Sequence, residues 1–346
     1  MNSKITSAIA LVLFGAMLVV SAKSVSNSKP ITGEFKTGLG IITTVSKSTD
    51  ATTEKDGCAA SELLVAAVTV NEEGVIADCY IDLLPVSIDF DATGKITTDS
   101  SKEFVSKQVL GDDYGMAVAS SIQKDWHEQV DAFAEHCIGL TAEEVTGLDM
   151  DNDGKAADAD LVAGCTMYIG NFQQVVAKAA LNALENGANG ASNGDLLGVN
   201  FATSIAKSTD ATADAEGLAQ AYVTVAAVTM NEDDVITSAV LDAVQANVNF
   251  DTTGKITTDT KLDVQSKCEL GDNYGMKAIS GLQKEWFEQA ESFAEYVSGK
   301  TMDEVMALPR TEAGAPDAEK TDLVTSVTIK VNDFITALKN AVDIAE

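Results

Sequence analysis

An acidic segment of the sequence has the residue types and spacing of a calcium-binding loop. It reads DMDNDGKAADAD over residues 149–160, with aspartates at loop positions 1, 3, 5 and 12 and a glycine at position 6. In such loops alternate oxygens face the ion, and the glycine allows a sharp turn. The sequence therefore predicts a calcium site formed by Asp149, Asp151, Asp153 and Asp160. A solvated acidic connection between two elements is the alternative.

Two similar segments each place a threonine hydroxyl between an apolar run and a helix-like stretch. They read DLVAGCTMYIGNF over residues 160–172 and DLVTSVTIKVNDF over residues 322–334. Thr166 and Thr328 are candidates for holding a cofactor at the end of a strand, because the free backbone N–H groups of the helix that follows can bind a phosphate. The alternative is that each threonine only turns the chain.

A turn motif also occurs twice, as LGDDYGM over residues 110–116 and LGDNYGM over residues 270–276. Its glycines and acids predict a turn that leads into a helix and presents Tyr114 and Tyr274 to a ligand. In the alternative, Asp112 and Asp272 cap backbone amides and the motif is structural.

These recurrences belong to an internal duplication. Residues 90–116 and 250–276 are identical at seventeen of 27 positions, and such self-similarity indicates tandem homologous units. We infer two repeats, residues 38–186 and residues 196–346. The connection over residues 187–195 is rich in Gly and Asn, which predicts a flexible linker.

The duplication excludes chemistry that both repeats would have to share. His127 and His136 correspond to Phe287 and Tyr296, so a histidine mechanism or zinc site common to both repeats is excluded. Four of the five cysteines correspond to apolar residues of the second repeat, which predicts buried thiols that pack as small apolar side chains. An odd number of cysteines implies no complete disulfide framework, although one pair could form. The sequence has no Cys-x-x-Cys and no glycine-rich phosphate loop, and we assign no catalytic residues.

The elements that must position these residues have an α+β pattern. Apolar and β-branched residues over 63–70 and 75–83 flank turn residues and predict a β-hairpin. A second hairpin is predicted around residues 91–94. Each repeat is therefore expected to hold an antiparallel sheet.

Helical spacing of apolar residues predicts the rest of each repeat. A long amphipathic helix is predicted over residues 117–137, and a C-terminal helix after each threonine segment. Thr141 and Thr301 each precede a glutamate by three residues, which predicts capping boxes that open short helices. The fold class predicted is α+β, with two tandem homologous domains.

The hairpin and the threonine segment resemble the FMN-binding domain family, flavin carriers of bacterial membrane and extracellular electron-transfer systems. The similar stretches are VTVNEEGVIADCYID and DLVAGCTMYIGNFQQVVAKAALNA, with their counterparts in the second repeat. In that family a flavin transferase can join a threonine to FMN through a phosphoester. The resemblance implies FMN at Thr166 and Thr328, with Gly164 and Ser326 in the motif before them, and a flavin transferase and a redox partner as partners.

Noncovalent FMN is the alternative, because the residues around each threonine depart from the family pattern. In either mode an isoalloxazine ring needs aromatic partners. The candidates are Tyr114, Tyr274, Trp126 and Trp286. For the two tryptophans, a place in the apolar core is the other interpretation.

Charge and the N-terminal residues predict where the protein acts. The formal net charge of −30 repels nucleic acid and anionic lipid, so neither is an expected partner. Lys4, an apolar run and small residues predict a signal peptide over residues 1–22, followed by a linker over residues 23–37. An uncleaved membrane anchor is the alternative. We expect a protein outside the cell or on its surface.

Two functional hypotheses follow from the sequence. The first is an exported FMN-binding electron carrier, in which the cofactor supplies the redox chemistry and the protein turns over no substrate. The second is a structural or adhesive surface protein that keeps the duplicated fold without a cofactor.

Overall fold

Alternating and β-branched apolar residues form two antiparallel sheets. In the computed structural model, which describes residues 31–345, the first sheet has the order β3-β2-β1-β4 and the second the order β5-β6-β7. The strands of the first are β1 (Phe35–Thr44), β2 (Gly57–Asn71), β3 (Ile76–Phe90) and β4 (Ala188–Ala191). Those of the second are β5 (Leu196–Ser204), β6 (Gly217–Met230) and β7 (Ile236–Phe250).

Helices complete each repeat, and the α+β class predicted from the sequence is confirmed. In the first repeat they are α1 (Lys107–Leu110), α2 (Trp126–Cys137), α3 (Ala142–Thr146), α4 (Ala159–Gly164) and α5 (Gly170–Asn186). In the second they are α6 (Lys267–Leu270), α7 (Trp286–Val297), α8 (Met302–Met306) and α9 (Asn332–Val342). Short 3-10 helices span Gly111–Tyr114, Gly271–Tyr274 and Asp322–Thr325.

The predicted hairpin is confirmed as β2 and β3. Its turn is built on Asn71, whose side-chain oxygen accepts hydrogen bonds from the amides of Glu73 (3.0 Å) and Val75 (2.9 Å). Gly74 has φ of 78°, a left-handed conformation that glycine adopts without steric cost. The second predicted hairpin is present in a short form: Phe90 and Ile96 make a bridge, and the amides of Asp91 and Thr97 donate to the carbonyls of Lys95 (2.8 Å) and Asp89 (2.9 Å).

Each sheet separates two apolar clusters. Alternate residues of both sheets form one shared core between them, which includes Leu39, Val65, Val199 and Val225. The opposite face of the first sheet packs on α2 and α5, and that of the second on α7 and α9. The order of layers is therefore helices, sheet, sheet, helices, and residues 31–345 lie in one compact unit.

The contacts between the repeats are reciprocal. The Phe90 and Phe250 rings stack with centroids 4.1 Å apart and planes 3° apart. The amide of Ala51 donates to the Gly254 carbonyl (2.8 Å), and the amide of Ala211 donates to the Gly94 carbonyl (2.7 Å). Each repeat thus presents the same patch to the other, as the subunits of a symmetric dimer do.

The long helix predicted over residues 117–137 is wrong in its first half. α2 begins at Trp126 because Asp125 and Glu128 form a capping box at that point. Asp125 also accepts the amides of Met116 and Ala117, both at 3.2 Å, and so holds the preceding segment in turns. The capping boxes predicted at Thr141 and Thr301 are confirmed.

The connection between the repeats is partly a strand. Ala188–Ala191 pairs with the start of β1, where the flexible linker was predicted. The predicted signal peptide lies outside the described residues, and the linker predicted over residues 23–37 overlaps β1 from Phe35 onward. Across residues 31–345, no helix is both long and apolar enough to span a membrane.

The C-terminal helix of each repeat packs directly on a strand backbone. A Cβ atom added to Gly38 would lie 2.2 Å from the Ala179 carbonyl oxygen, and one added to Gly40 would lie 2.3 Å from that of Val175. In the second repeat a Cβ atom added to Gly198 would lie 2.3 Å from the Ala341 carbonyl oxygen. These glycines let α5 and α9 approach, and thereby place the segment that carries each threonine.

Candidate functional site

The segment before each threonine is helical, and the strand predicted there is wrong. The Asp158 side chain accepts the amides of Asp160 and Leu161, both at 3.0 Å, and so opens α4. In the second repeat Thr321 accepts the amide of Leu323 (3.2 Å) at the start of the 3-10 helix. Side-chain capping of free amides starts a helix where the apolar run alone suggests a strand.

Both threonines are bound to a buried glutamine of the neighbouring helix. The amide (2.9 Å) and hydroxyl (3.2 Å) of Thr166 donate to the Gln129 side-chain oxygen. Thr328 makes the same two bonds to Gln289, with the same lengths. The two glutamines are 1% and 0% exposed, whereas Thr166 is half-buried and Thr328 exposed. The same threonine–glutamine contact therefore stabilises both repeats. Of the two threonines, only Thr328 is exposed to solvent.

Gln129 and Gln289 are residues that the sequence interpretation missed. The signal that could have found them is their identity at corresponding places on α2 and α7. Each also donates from its amide nitrogen to a serine of the preceding turns, Ser120 (3.0 Å) and Ser280 (3.2 Å). A buried amide with partners on both ends joins three segments of its repeat.

The residues before each threonine face their own repeat. A Cβ atom on Gly164 would lie 2.6 Å from the Ala132 side chain, so glycine allows α4 to approach α2. The Ser326 hydroxyl donates to the Leu323 carbonyl (3.2 Å). Both residues therefore contribute to packing or hydrogen bonding within their own repeat.

The two tryptophans are core residues, as the second interpretation held. Trp126 is 3% and Trp286 5% exposed. Their rings meet Phe172 and Phe334 edge to face, at centroid distances of 6.4 and 5.5 Å. Stacking on a bound ring would require them to leave the core.

The two tyrosines of the turn motif pack against lysines. The Lys107 ammonium lies 4.5 Å from the Tyr114 ring centroid, and that of Lys267 lies 4.7 Å from the centroid of Tyr274. Tyr114 keeps 38% of its surface exposed, whereas Tyr274 is half-buried. A cation over a ring face is a favourable contact that a flavin would have to displace.

Lys267 is a buried cation among aromatic rings. Its ammonium lies 4.6 to 4.7 Å from the centroids of Tyr222, Tyr274 and Trp286, and it donates to the Tyr222 hydroxyl at 2.9 Å. The residue is 4% exposed, and burial lowers its pKa to about 8. The cluster ties α6 to β6 and α7, which gives the turn motif a structural role.

Within that motif the amides are capped by residues other than the predicted aspartates. Asp125 accepts the amides of Met116 and Ala117 at the end of the first copy, and Glu285 accepts those of Met276 (2.8 Å) and Lys277 (2.9 Å) at the end of the second. The prediction that Asp112 and Asp272 serve as caps is wrong, because an acid fifteen residues from the motif's start reaches back to it.

The four aspartates of the predicted calcium loop are exposed and belong to two local structures. Asp151 shapes a turn, with its side chain accepting the amides of Asp153 and Lys155, both at 2.9 Å. Asp91 forms the same kind of turn with Thr93 and Lys95. Asp160 lies in the first turn of α4, and Asp149 accepts the Ala157 amide through its backbone carbonyl. The calcium site stays a prediction.

Among the described residues, a cluster of side chains that could bind a metal ion lies outside the predicted calcium loop, at the start of α2. Asp112, His127 and Glu128 bring ligand atoms within 4.8 Å of one another. The His127 Nε2 atom is 3.8 Å from an Asp112 carboxylate oxygen, and Glu128 already accepts the Asp125 amide at 2.8 Å. Because Phe287 stands at the place of His127, this group occurs in the first repeat alone.

A buried aspartate anchors each short helix to the sheet. Asp82 is 0% exposed and accepts the amides of Leu83 (2.7 Å) and Gln108 (3.0 Å), and burial raises its pKa to about 6. Asp242 makes the matching bonds to the amides of Ala243 (2.7 Å) and Cys268 (3.0 Å). The Asp82 carboxylate thus holds α1 on the sheet, and the Asp242 carboxylate holds α6.

Two matching clefts lie between the repeats, with volumes of about 190 and 310 Å³. An ion pair between Lys178 of α5 and Glu269 of α6 crosses the first. The corresponding residues at the second cleft are Asn340 and Val109. The second cleft lacks the ion pair of the first, so the two clefts are not expected to bind the same ligand.

Comparison with known proteins adds no assignment: no protein family, curated protein or solved structure matches the chain.

Proposed function

We propose that this chain is an acidic structural or adhesive protein of the cell surface that uses its duplicated fold without a flavin. The observation that carries the proposal is the contact of each threonine with a buried glutamine. Thr166 and Thr328 both direct amide and hydroxyl to one glutamine oxygen. The threonine hydroxyls, to which FMN would be attached, are thus already hydrogen-bonded within the repeat.

The aromatic residues support the same conclusion. Trp126 and Trp286 belong to the core, and a lysine covers a face of Tyr114 and of Tyr274. Stacking an isoalloxazine ring on these residues would therefore open the core or compete with a lysine. An acidic surface of net charge −30 suits cationic partners and solubility at high concentration.

FMN binding at the second repeat is the other candidate function, and the exposure of Thr328 favours it. An open groove of about 640 Å³ runs along α9, and its lining includes Arg310, Asn332 at the start of the helix and Lys339 in its last turn, but not Thr328. Arg310 donates to the Asn332 side chain at 3.0 Å. A guanidinium beside a helix N-terminus is a suitable environment for a phosphate group, so this candidate concerns the phosphate end of FMN.

The two candidates are separated by the colour and mass of the protein. We expect the chain purified from its native host to be colourless, to have unmodified mass and to leave the fluorescence of added FMN unquenched. A flavin spectrum with the added mass of FMN less water would overturn the proposal and establish covalent attachment. A flavin spectrum with unmodified mass would also overturn it, in favour of noncovalent FMN.

Two matched variants assign the residue if flavin is found. Thr328→Ala and Thr166→Ala each remove one hydroxyl and keep the amide bond to the glutamine. Loss of the flavin in the first variant alone would place FMN at the exposed threonine. Arg310→Lys keeps the charge but removes the paired donors of the guanidinium, and tests the groove separately.

A further inference from the structure

Two cysteines face the same buried cluster of the first repeat. Cys79 on β3 is 9% exposed, and Cys137 at the end of α2 is 0% exposed. Both belong to the apolar cluster between the first sheet and its helices. Burial raises the pKa of the Cys79 thiol well above its usual range, and the nearby Cys137 thiol contributes to that rise. Both thiols are free in the structure and lie in one cluster, on two elements that pack against each other.

Backbone hydrogen bonds hold the two chain segments together. The Ile76 carbonyl accepts the Gly139 amide (2.8 Å), and the Ile76 amide donates to the Leu140 carbonyl (2.9 Å). These bonds fix the residues just after Cys137 beside the residues just before Cys79. The pair is thus held by secondary structure on both sides.

The second repeat has the same backbone contacts without the thiols. Ile236 accepts the Gly299 amide at 2.7 Å and donates to the Lys300 carbonyl at 2.9 Å. Ala239 and Val297 stand in place of the cysteines and are 2% and 0% exposed. The fold therefore needs only two apolar side chains here, and the thiol pair is an addition specific to the first repeat.

We propose that Cys79 and Cys137 form a disulfide bond that joins β3 to α2 when the chain folds in an oxidising compartment. The oxidant is an external disulfide such as oxidised glutathione. One cysteine thiolate attacks it and releases one glutathione thiol, and the second cysteine then displaces the other. Two protein thiols are oxidised, two glutathione thiols form, and the S–S bond of the oxidant is replaced by one in the protein.

The bond is expected to form before the core closes. Burial raises the pKa of the Cys137 thiol to about 12, so the folded protein holds almost no reactive thiolate at this position. The other three cysteines lie on other segments, and of these Cys165 is buried in the same apolar cluster as the pair. Cys58 is at the start of β2, Cys165 precedes Thr166, and the Cys268 thiol donates to the Leu241 carbonyl in the second repeat.

Refolding in oxidised and reduced glutathione, followed by blocking of free thiols and peptide mass spectrometry, tests this proposal on the purified protein. We expect one linked peptide pair, Cys79 with Cys137, and three blocked thiols. A reducing agent should lower the Tm of the oxidised protein.

The control is the double variant Cys79→Ala, Cys137→Val, which carries the residues of the second repeat. It should fold, show no linked peptides and have a Tm that the reducing agent does not change. Natively folded wild-type protein with all five thiols free would overturn the proposal, and so would a bond that involves Cys58, Cys165 or Cys268.

Discussion

At the scale of single residues, the side chains that hold each repeat together are buried polar groups with several partners. Gln129 accepts two bonds from Thr166 and donates from its amide nitrogen to Ser120 and to the Lys124 carbonyl. Replacing such a group strands its partners in the core, and a stranded buried group costs about 1–3 kcal/mol. The glutamine is therefore expected to matter more for stability than the threonine.

Gln129→Leu should lower the free energy of unfolding by about 3 kcal/mol, because the Thr166 amide and the Lys124 carbonyl lose a partner in the same step. Thr166→Val is the matched control, since it removes only the hydroxyl bond and should cost about 1 kcal/mol or less. Urea unfolding of the three proteins measures both. Equal losses in the two variants would contradict the assignment.

Lys267 should stabilise the folded protein increasingly as pH rises above about 8. Burial lowers its pKa to about 8 in the folded protein, whereas an unfolded lysine titrates near 10.4. Between these values the unfolded state binds more protons at this residue, so its contribution to the free energy of unfolding increases with pH by up to ~1.4 kcal/mol per pH unit. The buried cysteines act in the opposite direction, because burial raises the pKa of thiols such as Cys137 and Cys268 and the unfolded thiols lose their protons first.

The free energy of unfolding of the wild type and of Lys267→Met, measured in urea between pH ~7 and ~10, isolates this contribution because the cysteines are common to both proteins. The difference between the two should move in favour of the wild type as pH rises. Lys55→Met removes a positive charge at an exposed position and should differ from the wild type by an amount that stays constant with pH. A constant difference between the wild type and Lys267→Met would show that Lys267 titrates as an ordinary lysine.

At the scale of elements, the contact of α5 with β1 depends on glycines facing helix backbone. The Val175 carbonyl lies 2.3 Å from where a Cβ on Gly40 would be, and a backbone atom cannot rotate away as a side chain can. The helix must shift as a whole to admit even a methyl group. The threonine segment leads directly into α5, so its position depends on this contact.

Gly40→Ala should destabilise the protein by about 1–3 kcal/mol or more through overpacking. Gly281→Ala is the control, because a Cβ there meets nothing within 4 Å and the backbone has an ordinary φ. Thermal unfolding of both variants measures the difference. A Tm for Gly40→Ala as high as that of Gly281→Ala would show that α5 can move without cost.

The elements also show what a sequence can and cannot predict. The β2–β3 hairpin was predictable because its turn is local, with Asn71 and Gly74 between apolar runs. The start of α2 was not predictable from spacing, because apolar residues at helical intervals continue back to Ile122. The Asp125 cap is what sets the first residue of the helix. The bond from Thr166 to Gln129 joins residues 37 positions apart. Nothing in local spacing reports such a contact.

At the scale of the whole molecule, the two repeats behave as a dimer on one chain. They share a core between their sheets, and each gives the other an equivalent set of bonds. The duplication was predictable from sequence identity, but this packing was not. Alternation along Leu63–Phe90 does not reveal that both faces of the sheet are covered, one by helices and the other by a second sheet.

Cutting the connection should leave the repeats together. A protease site inserted between Asn193 and Gly194, both exposed, gives two fragments after cleavage. We expect them to elute as one species in gel filtration and to separate in denaturant, because the shared core and not the linker holds them. Phe250→Ala in the cleaved protein should weaken the association by about 3–5 kcal/mol. Native separation of the unsubstituted fragments would contradict a shared core.

The exposed edge of β1 in the first sheet is covered by side chains of α5. β1 meets β4 only over Phe35–Thr37, and beyond that point Lys178 and Asn182 of α5 donate to the carbonyls of Ile41 and Leu39. Asn340 of α9 does the same for Phe201 on β5. An uncovered strand edge is a template for fibre growth by addition of another chain. The C-terminal helix of each repeat thus prevents another chain from pairing with the strand edge, and a chain that has lost these helices would be prone to aggregate.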